Sequence, residues 1–338
     1  MYANEKKINK LFLFWLISSL ILVFLIIIIG GLTRLTDSGL SITEWELFTG
    51  LLPPLNYNAW ETYFNEYKKI PQYQLLNSSM TIDEFKIIFY WEYFHRILAR
   101  LIGLFFLIPL IYFFYVNEID KKHLKICVYV FLLIVFQGII GWFMVKSGLV
   151  NDVTVSHYRL AIHLTTAIFI ISIIFWLILN IIKKTNKNFF KFKIEYSPYI
   201  FLITLIYCQI IMGAFVSGLD AGQIYQTWPL MGDTFFPDDL SYYNFFEFNN
   251  HSLIQLYHRI LAYLITLYVL FLSIFIIKKK ISNLYFPLII LIFFLITQGV
   301  LGIFTLVSGL NIYLASAHQI TGVLLVLCAL NLYYFRTK

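Results

Sequence analysis

Residues 11–32 read LFLFWLISSLILVFLIIIIGGL, an apolar segment that contains no charged side chain. A membrane-spanning helix needs about 20 consecutive apolar residues to cross a hydrocarbon core of about 30 Å, and this segment is long enough. It is too long for the apolar part of a cleaved signal peptide, and Gly30-Gly31-Leu32-Thr33-Arg34 is a poor cleavage site. We therefore interpret it as the first helix of a membrane protein.

Seven further apolar segments of similar length follow it. The composition agrees with this reading, because 60% of the 338 residues are hydrophobic and only 13% are charged, against about 25% charged in a typical soluble domain. So few charges exclude a soluble enzyme, a disordered chain and a nucleic-acid-binding protein. The sequence predicts an all-α integral membrane protein with eight transmembrane helices. The predicted spans are residues 11–32, 88–116, 122–146, 157–182, 198–219, 253–277, 284–308 and 312–335.

Basic residues are distributed unevenly over the segments that connect these spans. If the N-terminus is cytoplasmic, the cytoplasmic segments carry 16 of the 25 lysines and arginines. The opposite side then holds the two long loops, residues 33–87 and 220–252, and most of the acidic residues. This distribution follows the positive-inside rule, so we expect both termini to be cytoplasmic. The net charge of +7 is thus a signal of topology and of contact with anionic membrane lipid.

Short motifs recur in the same order in the two halves of the chain. His95-Arg96-Ile97-Leu98-Ala99 returns as His258-Arg259-Ile260-Leu261-Ala262, and Gln137-Gly138-Ile139-Ile140-Gly141 returns as Gln298-Gly299-Val300-Leu301-Gly302. The two motifs are separated by a nearly equal length of chain in each half. Each half has an even number of spans, so both halves have the same orientation in the membrane. We expect two pseudo-symmetric parallel four-helix bundles, residues 1–185 and 186–338.

Five of the seven histidines lie at the outer ends of the second, fourth, sixth and eighth predicted helices. Ionisable residues within membrane spans are costly and are functional by default. In each half, one histidine comes from the second helix and one from the fourth: His95 with His163, and His258 with His318. Two facing histidines in a helical bundle can hold a haem iron, whereas zinc requires three or four ligands. The pairs predict two haem sites near the outer face. The fifth histidine, His157, competes with His163 for the fourth-helix position of the first half. His163 aligns with His318 through the small residue before it and the apolar residues after it, so His163 is preferred and His157 is expected at the water interface.

The two halves differ at one position that bears on their chemistry. Glu92 precedes His95 by three residues and shares its helix face, whereas the equivalent position in the second half is Gln255, which cannot titrate. An acid at only one haem site suggests that one site does chemistry and the other moves electrons. The alternative is that Glu92 only pairs with Arg96, four residues on. Arg96 recurs as Arg259, and both are expected to pair with a haem propionate.

With these motifs the sequence resembles the haem A synthases, membrane enzymes that convert haem O to haem A for cytochrome oxidase. The resemblance covers residues 11–335 and is closest to the branch shared by alpha-proteobacteria and mitochondria. Among the motifs that carry it are Gly31-Leu32-Thr33-Arg34-Leu35-Thr36, Glu92-Tyr93-Phe94-His95-Arg96, Gly218-Leu219-Asp220-Ala221-Gly222, Trp228-Pro229-Leu230-Met231-Gly232-Asp233 and Ala317-His318-Gln319.

This resemblance implies a role for each pair of histidines. In the family, the C-terminal half holds a haem b cofactor between two histidines, which match His258 and His318. The N-terminal half receives the haem substrate, with histidines that match His95 and His163, and the family's essential acid matches Glu92. The implied reaction is the oxidation of one ring methyl of haem O to a formyl group, with electrons passing to or from haem b.

Other functions are open at this point. The main alternative is a di-haem b-type membrane cytochrome that transfers electrons without substrate turnover. A transporter is disfavoured, because the unusual residues lie at helix ends and not at the bilayer midplane. The lack of a transit peptide favours a bacterial inner membrane. The expected partners are haem O, membrane lipid, an unidentified electron donor, haem O synthase and cytochrome oxidase subunits, and no nucleic acid.

Overall fold

The computed structural model describes residues 9–45, 49–151, 153–240 and 246–337. Eight helices among these residues are long and apolar enough to cross a membrane, which confirms the predicted all-α, multi-pass membrane protein. We number the α-helices in chain order. The spanning helices are α1 (Lys10–Leu35), α4 (Ile82–Val116), α5 (Lys121–Asn151), α6 (His157–Ile182), α7 (Ser197–Gly218), α8 (His251–Lys278), α9 (Tyr285–Val307) and α10 (Ile312–Arg336).

Helix α4 begins well before the predicted span, at Ile82 and not at residue 88. The reason is a capping box: the Glu84 backbone N–H donates to the Thr81 hydroxyl over 3.4 Å, and the Thr81 backbone N–H donates to the Glu84 carboxylate over 2.7 Å. These bonds satisfy backbone groups that the start of a helix leaves open. As a result, α4 projects beyond its apolar segment toward the first long loop.

The first long loop contains two short helices that the sequence analysis did not predict, α2 (Tyr57–Tyr67) and α3 (Pro71–Leu76). Aromatic side chains attach α2 to the start of α4. The ring centres of Trp60 and Phe89 are 5.0 Å apart, and those of Phe64 and Phe85 are 5.1 Å apart, within the range of favourable aromatic pairs. This loop therefore has a small core of its own above the N-terminal spans.

The spanning helices pack as two closed rings. In the N-terminal ring, α1 contacts α4, α4 contacts α5, α5 contacts α6 and α6 returns to α1. In the C-terminal ring, α7 contacts α8, α8 contacts α9, α9 contacts α10 and α10 returns to α7. The rings join through α1, α6, α7 and α10. The internal pseudo-symmetry and the boundary between residues 185 and 186 stay predictions.

The bundle is packed more tightly at the end away from the long loops. There the ring centre of Trp176, from α6, lies 5.4 Å from that of Tyr333 and 5.0 Å from that of Tyr334, both from α10. Nearer the long loops, the side chains of residues 314–322 on α10 are all half-buried. The two rings of helices are therefore joined by packed aromatic side chains at the end away from the long loops. They are packed less tightly around the predicted haem sites.

Polar contacts also join the halves near the long loops. The Gln319 amide of α10 donates to the Ile27 carbonyl of α1 over 3.0 Å, and its Oε1 lies only 1.8 Å from where a Cβ on Gly31 would be. The Arg34 guanidinium of α1 donates to Asp220, just after α7, over 2.9 Å. Because Gly31 has no side chain, α1 and α10 can approach closely at this point.

Arg34 forms the centre of an ion-pair network between the loops that follow α1 and α7. Besides Asp220, it donates to the Asp37 carboxylate over 2.6 Å and to the Ser217 carbonyl over 2.5 Å. Burial raises the pKa of Asp37 above its usual range, against the opposing effect of Arg34, and the nearby Asp220 carboxylate adds to the rise. One guanidinium thus holds two carboxylates that would otherwise repel each other.

Replacing Arg34 with alanine should lower the thermal unfolding midpoint of the detergent-solubilised protein. A hydrogen bond to a charged group contributes about 1.5–3 kcal/mol, and the Arg34 side chain is only 13% exposed. Lys69→Ala is the matched control, because its 2.6 Å pair with Glu66 lies on the surface and should leave the midpoint near that of the wild type. If Arg34→Ala unfolded at the wild-type temperature, the network would have no role in joining the halves.

Candidate active site

Each of the four predicted ligand histidines lies against a glycine of the preceding spanning helix. A side chain on any of these glycines would press into an imidazole ring, because ordinary Cβ contacts are 3.4–4 Å. The glycines therefore form a cradle for the four rings. The distances from the position of a glycine Cβ to the imidazole Cε1 are 2.9 Å for Gly30–His95, 3.1 Å for Gly141–His163, 3.2 Å for Gly213–His258 and 2.8 Å for Gly302–His318.

All four histidines lie toward the end of the bundle that bears the long loops. His163, His258 and His318 follow the first residue of their helices by two turns or less, which corresponds to about 10 Å at a rise of 1.5 Å per residue. His95 lies farther along α4 because the capping box extends that helix. The placement of the histidines near helix ends agrees with the sequence prediction, while the side of the membrane on which they lie stays a prediction.

The C-terminal pair has a geometry that fits a shared metal ion. The ring centres of His258 and His318 are 6.4 Å apart, and the ring planes are inclined by 74°. Two imidazoles that bind one metal through bonds of about 2 Å stand roughly 6 Å apart, centre to centre. The Nδ1 atom of His318 lies 3.1 Å from the Gln298 carbonyl oxygen. A proton donated to that carbonyl leaves Nε2 free to bind iron.

The N-terminal pair brings together residues from α4 and α6. His163 is close enough to His95 to interact with it electrostatically, so the two predicted substrate ligands are neighbours. The Nδ1 atoms of both rings are buried and have no hydrogen-bond partner among the described residues. Buried nitrogens without partners are costly, and this cost is a first indication that the pair acts on a ligand.

Glu92 is buried and bonded through both carboxylate oxygens. One oxygen accepts from the Ser41 hydroxyl over 2.7 Å and from the Ile42 backbone N–H over 2.9 Å. The other accepts from Arg96 Nε over 3.0 Å and from Nη2 over 2.5 Å. Arg96 also donates to the carbonyls of Ile42 and Glu44, over 2.9 and 3.2 Å. The pairing with Arg96 that the sequence allowed is therefore present, within a network that fixes the carboxylate against the first long loop.

In the second half, Gln255 and Arg259 stand at the positions of Glu92 and Arg96 and also bind a long loop, although Gln255 has no carboxylate. Gln255 donates to the Tyr225 carbonyl over 2.9 Å. Arg259 donates to the same carbonyl over 3.1 Å and to the Leu230 carbonyl over 3.1 Å. In both halves the arginine that follows the histidine thus binds the long loop of its own half. The roles of Arg96 and Arg259 toward haem propionates stay predictions.

Polar contacts at Tyr225 and Ser252 fasten the second long loop to the start of α8. The Tyr225 hydroxyl donates to Asp238, and this bond holds the pKa of the Asp238 carboxyl below its usual range. Burial, together with that bond, raises the pKa of the Tyr225 hydroxyl to about 12. Ser252 donates to Asp239 over 2.8 Å. The loop is therefore held by polar contacts to the first turns of α8, the helix that carries His258.

His157 does not lie at the water interface, so that prediction was wrong. Its side chain is 8% exposed and packs between α6 and α7. A Cβ on Gly218 would lie 2.5 Å from the His157 Cβ, and the ring centre of Phe215 is 5.1 Å from that of His157. Because Gly218 admits the backbone of α6 so closely, the first turn of that helix is buried where the two halves meet.

Known proteins resemble this chain over most of its length. Residues 13–330 match the family described as cytochrome oxidase assembly protein. The chain belongs to this family. A relative in Pelagibacter ubique named "Heme A synthase" is 47% identical over 332 residues, which is 96% of each chain. One of the same name in Rickettsia canadensis is 41% identical over 319 residues, covering 92% of this chain and 94% of the relative. Another, in Parvibaculum lavamentivorans, is 44% identical over 258 residues, covering 75% and 74%.

Membership of the cytochrome oxidase assembly family confirms the resemblance identified from the motifs. Sequence reasoning nevertheless missed three parts of the site: the glycine cradle, the contacts of Ser41 and Ile42 with Glu92, and a contact between Gln209 and His258. A usable signal existed only for the cradle, since Gln137 and Gln298 each precede a cradle glycine by four residues in a repeated motif. The contacts of Glu92 join segments about fifty residues apart and leave no local pattern.

Proposed function

We propose that this protein is a haem A synthase, which oxidises a ring methyl of haem O to a formyl group and so supplies haem A for cytochrome oxidase. The names of its relatives and of its family support this proposal. The observation that carries it is an asymmetry: two pairs of cradled histidines are present, and a buried carboxylate accompanies only one of them.

In this proposal the N-terminal pair receives the substrate. His95 and His163 bind the iron of haem O, and the cradle glycines leave room for their rings. Glu92 lies one helical turn from His95, toward the loop end. Because Ser41, Ile42 and Arg96 bind both of its oxygens, the carboxylate keeps one position. From there it stabilises positive charge that develops at the methyl carbon, or accepts a proton from it.

The C-terminal pair fits haem b as a resident cofactor. The 6.4 Å separation of the His258 and His318 rings and the carbonyl beside His318 Nδ1 suit two histidines that would hold one haem iron between them. When bound there, haem b supplies one-electron transfer to or from the substrate site. Gln255 occupies the position of Glu92, so no carboxylate stands at that position in this half.

We place the protein in a bacterial inner membrane with both termini in the cytoplasm. The support is the excess of lysine in the short connecting segments. The long loops and the histidine pairs then lie toward the outer face. Haem O synthase and cytochrome oxidase subunits are the proposed docking partners, since one supplies the substrate and the other receives the product.

One observation favours a second function, a di-haem b-type cytochrome without substrate turnover. Glu92 is engaged by Arg96, so its charge has a structural use. In that case both histidine pairs would hold permanent haems, and the carboxylate would serve only to attach the first long loop to α4.

Haem extraction decides between the two functions. The protein is made in a host that supplies haem O, purified in detergent, and its extracted haems are identified by mass. We expect haem b together with haem O, a hydroxylated haem or haem A. Haem b alone at both sites would favour the cytochrome, and a preparation without haem would contradict both.

A further inference from the structure

We infer that Gln209 is a positioning residue for His258, and that the lack of such a partner at His95 lets the N-terminal pair release its haem. The inference rests on the proposed function and deepens it. It concerns how one protein keeps one haem as a cofactor while it exchanges another as substrate and product.

The starting point is a pattern shared by three of the four cradle glycines. On α5, α7 and α9 a glutamine precedes the cradle glycine by four residues, so both side-chain positions lie on the helix face that meets the histidine. On α1 the corresponding position is Ile26, which is apolar. The pairs are Gln137 with Gly141, Gln209 with Gly213, Gln298 with Gly302, and Ile26 with Gly30.

In the C-terminal half, polar groups hold both imidazoles. The Gln209 amide donates to the His258 carbonyl over 3.0 Å, and the same nitrogen lies 3.2 Å from Nδ1 and 3.3 Å from Nε2 of that ring. Nδ1 of His318 lies 3.1 Å from the Gln298 carbonyl oxygen, and the Gln298 amide nitrogen lies 3.4 Å from its Nε2. Each ring therefore has a glutamine of the cradle helix beside it, through the side-chain amide at His258 and through the backbone carbonyl at His318 Nδ1.

Among the residues that the structure describes, the N-terminal half has no such contacts with its two imidazole rings. The Gln137 amide donates over 2.7 Å to the backbone carbonyl of His163. This bond fixes α6 against α5 but does not involve the nitrogens of the His163 ring. Nδ1 of His163 and Nδ1 of His95 are both buried without a partner among the described residues. At His95 the cradle helix offers only Ile26, which has no polar group to donate or accept.

This difference predicts different affinities for haem. A partner on the second nitrogen of a ligand histidine fixes the ring and strengthens the metal bond, and its loss typically costs 10–100-fold in metal affinity. A ring that is already held also loses less freedom on binding. The C-terminal pair is therefore built to retain its haem, and the N-terminal pair to let its haem leave.

Gln209→Met tests the first part, because methionine has similar length but no amide. We expect haem b to dissociate about tenfold faster from this variant. Part of it should become high-spin in the electron paramagnetic resonance spectrum, because the His258 ring is no longer positioned by Gln209. Gln137→Met is the matched control and should keep haem b fully low-spin, since Gln137 lies in the N-terminal half and its amide donates to the His163 backbone carbonyl there. Low-spin haem b with wild-type dissociation in Gln209→Met would overturn the inference.

Ile26→Gln tests the second part by adding the amide that α1 lacks. We expect haem at the N-terminal pair to leave about tenfold more slowly, measured as transfer of that haem to an excess of apomyoglobin. Unchanged release would overturn this part. A wild-type protein that holds no haem b would instead contradict the proposed function, so the two failures are distinguishable.

Discussion

Replacing Glu92 with glutamine is expected to abolish the conversion of haem O while haem b stays at its wild-type content. Glutamine keeps the shape of the side chain and can still accept from Ser41 and Ile42, but it carries no charge and cannot take a proton. Positioned acid–base groups contribute roughly 10²–10⁴-fold to rate, so activity should fall below about 1% of that of the wild type. The measurements are haem A formed per polypeptide and extracted haem b.

Loss of activity has to be separated from loss of structure, because Glu92 also pairs with buried Arg96. Breaking such a pair is often destabilising by several kcal/mol, so the thermal midpoint is measured alongside. Ser41→Ala is the control: it removes one hydrogen bond from the same carboxylate oxygen but leaves the charge, and most activity should remain. Full activity in Glu92→Gln would remove Glu92 from the mechanism.

Alanine at two cradle glycines is expected to empty the two haem sites separately. In Gly302→Ala the new Cβ would lie 2.8 Å from Cε1 of His318, and in Gly30→Ala it would lie 2.9 Å from Cε1 of His95. Real Cβ atoms essentially never come this close, so each ring must move. Overpacking of this kind costs about 1–3 kcal/mol, equivalent to roughly 5–150-fold in affinity. Gly302→Ala should lose haem b, whereas Gly30→Ala should keep haem b and lose turnover.

Helix α9 supplies the control for this pair of variants. Gly299 lies one turn before Gly302, and no atom lies within 4 Å of the position that its Cβ would occupy. Gly299→Ala should therefore keep both haem b and activity. The cradle would be refuted if Gly302→Ala retained haem b with wild-type affinity, or if Gly299→Ala lost as much haem as Gly302→Ala.

The sequence predicted those features that depend on local composition. Eight apolar segments and their number follow from hydropathy, and the pairing of Glu92 with Arg96 follows from helical spacing. Helices α2 and α3 were missed because they are short and their aromatic residues gain stability only against other helices, those of α2 against α4 and Tyr73 of α3 against α2. The burial of His157 depends on Gly218, a residue of another helix, and so has no signal in its own neighbourhood.

The contact of Gln209 with His258 was missed for a similar reason. Gln137 and Gln298 are each followed directly by glycine and form a visible repeat, whereas Gln209 is followed by Ile210. The contact depends on the four-residue spacing to Gly213, which becomes meaningful only once the histidine is known to lie there.

The hydrogen bond between Gln319 and Ile27 also affects how the protein is made. Its two residues are 292 positions apart in the chain, and ribosomes add about 5–20 residues per second. Helix α1 is therefore synthesised roughly 15–60 s before Gln319 of α10, the residue that packs against its Gly31 face. A polypeptide that stops before α10 leaves this side of the first helix uncovered in the bilayer. The helix that carries the cradle for His95 is thus fastened by the last one to enter the membrane, and only a full-length product has both sites complete.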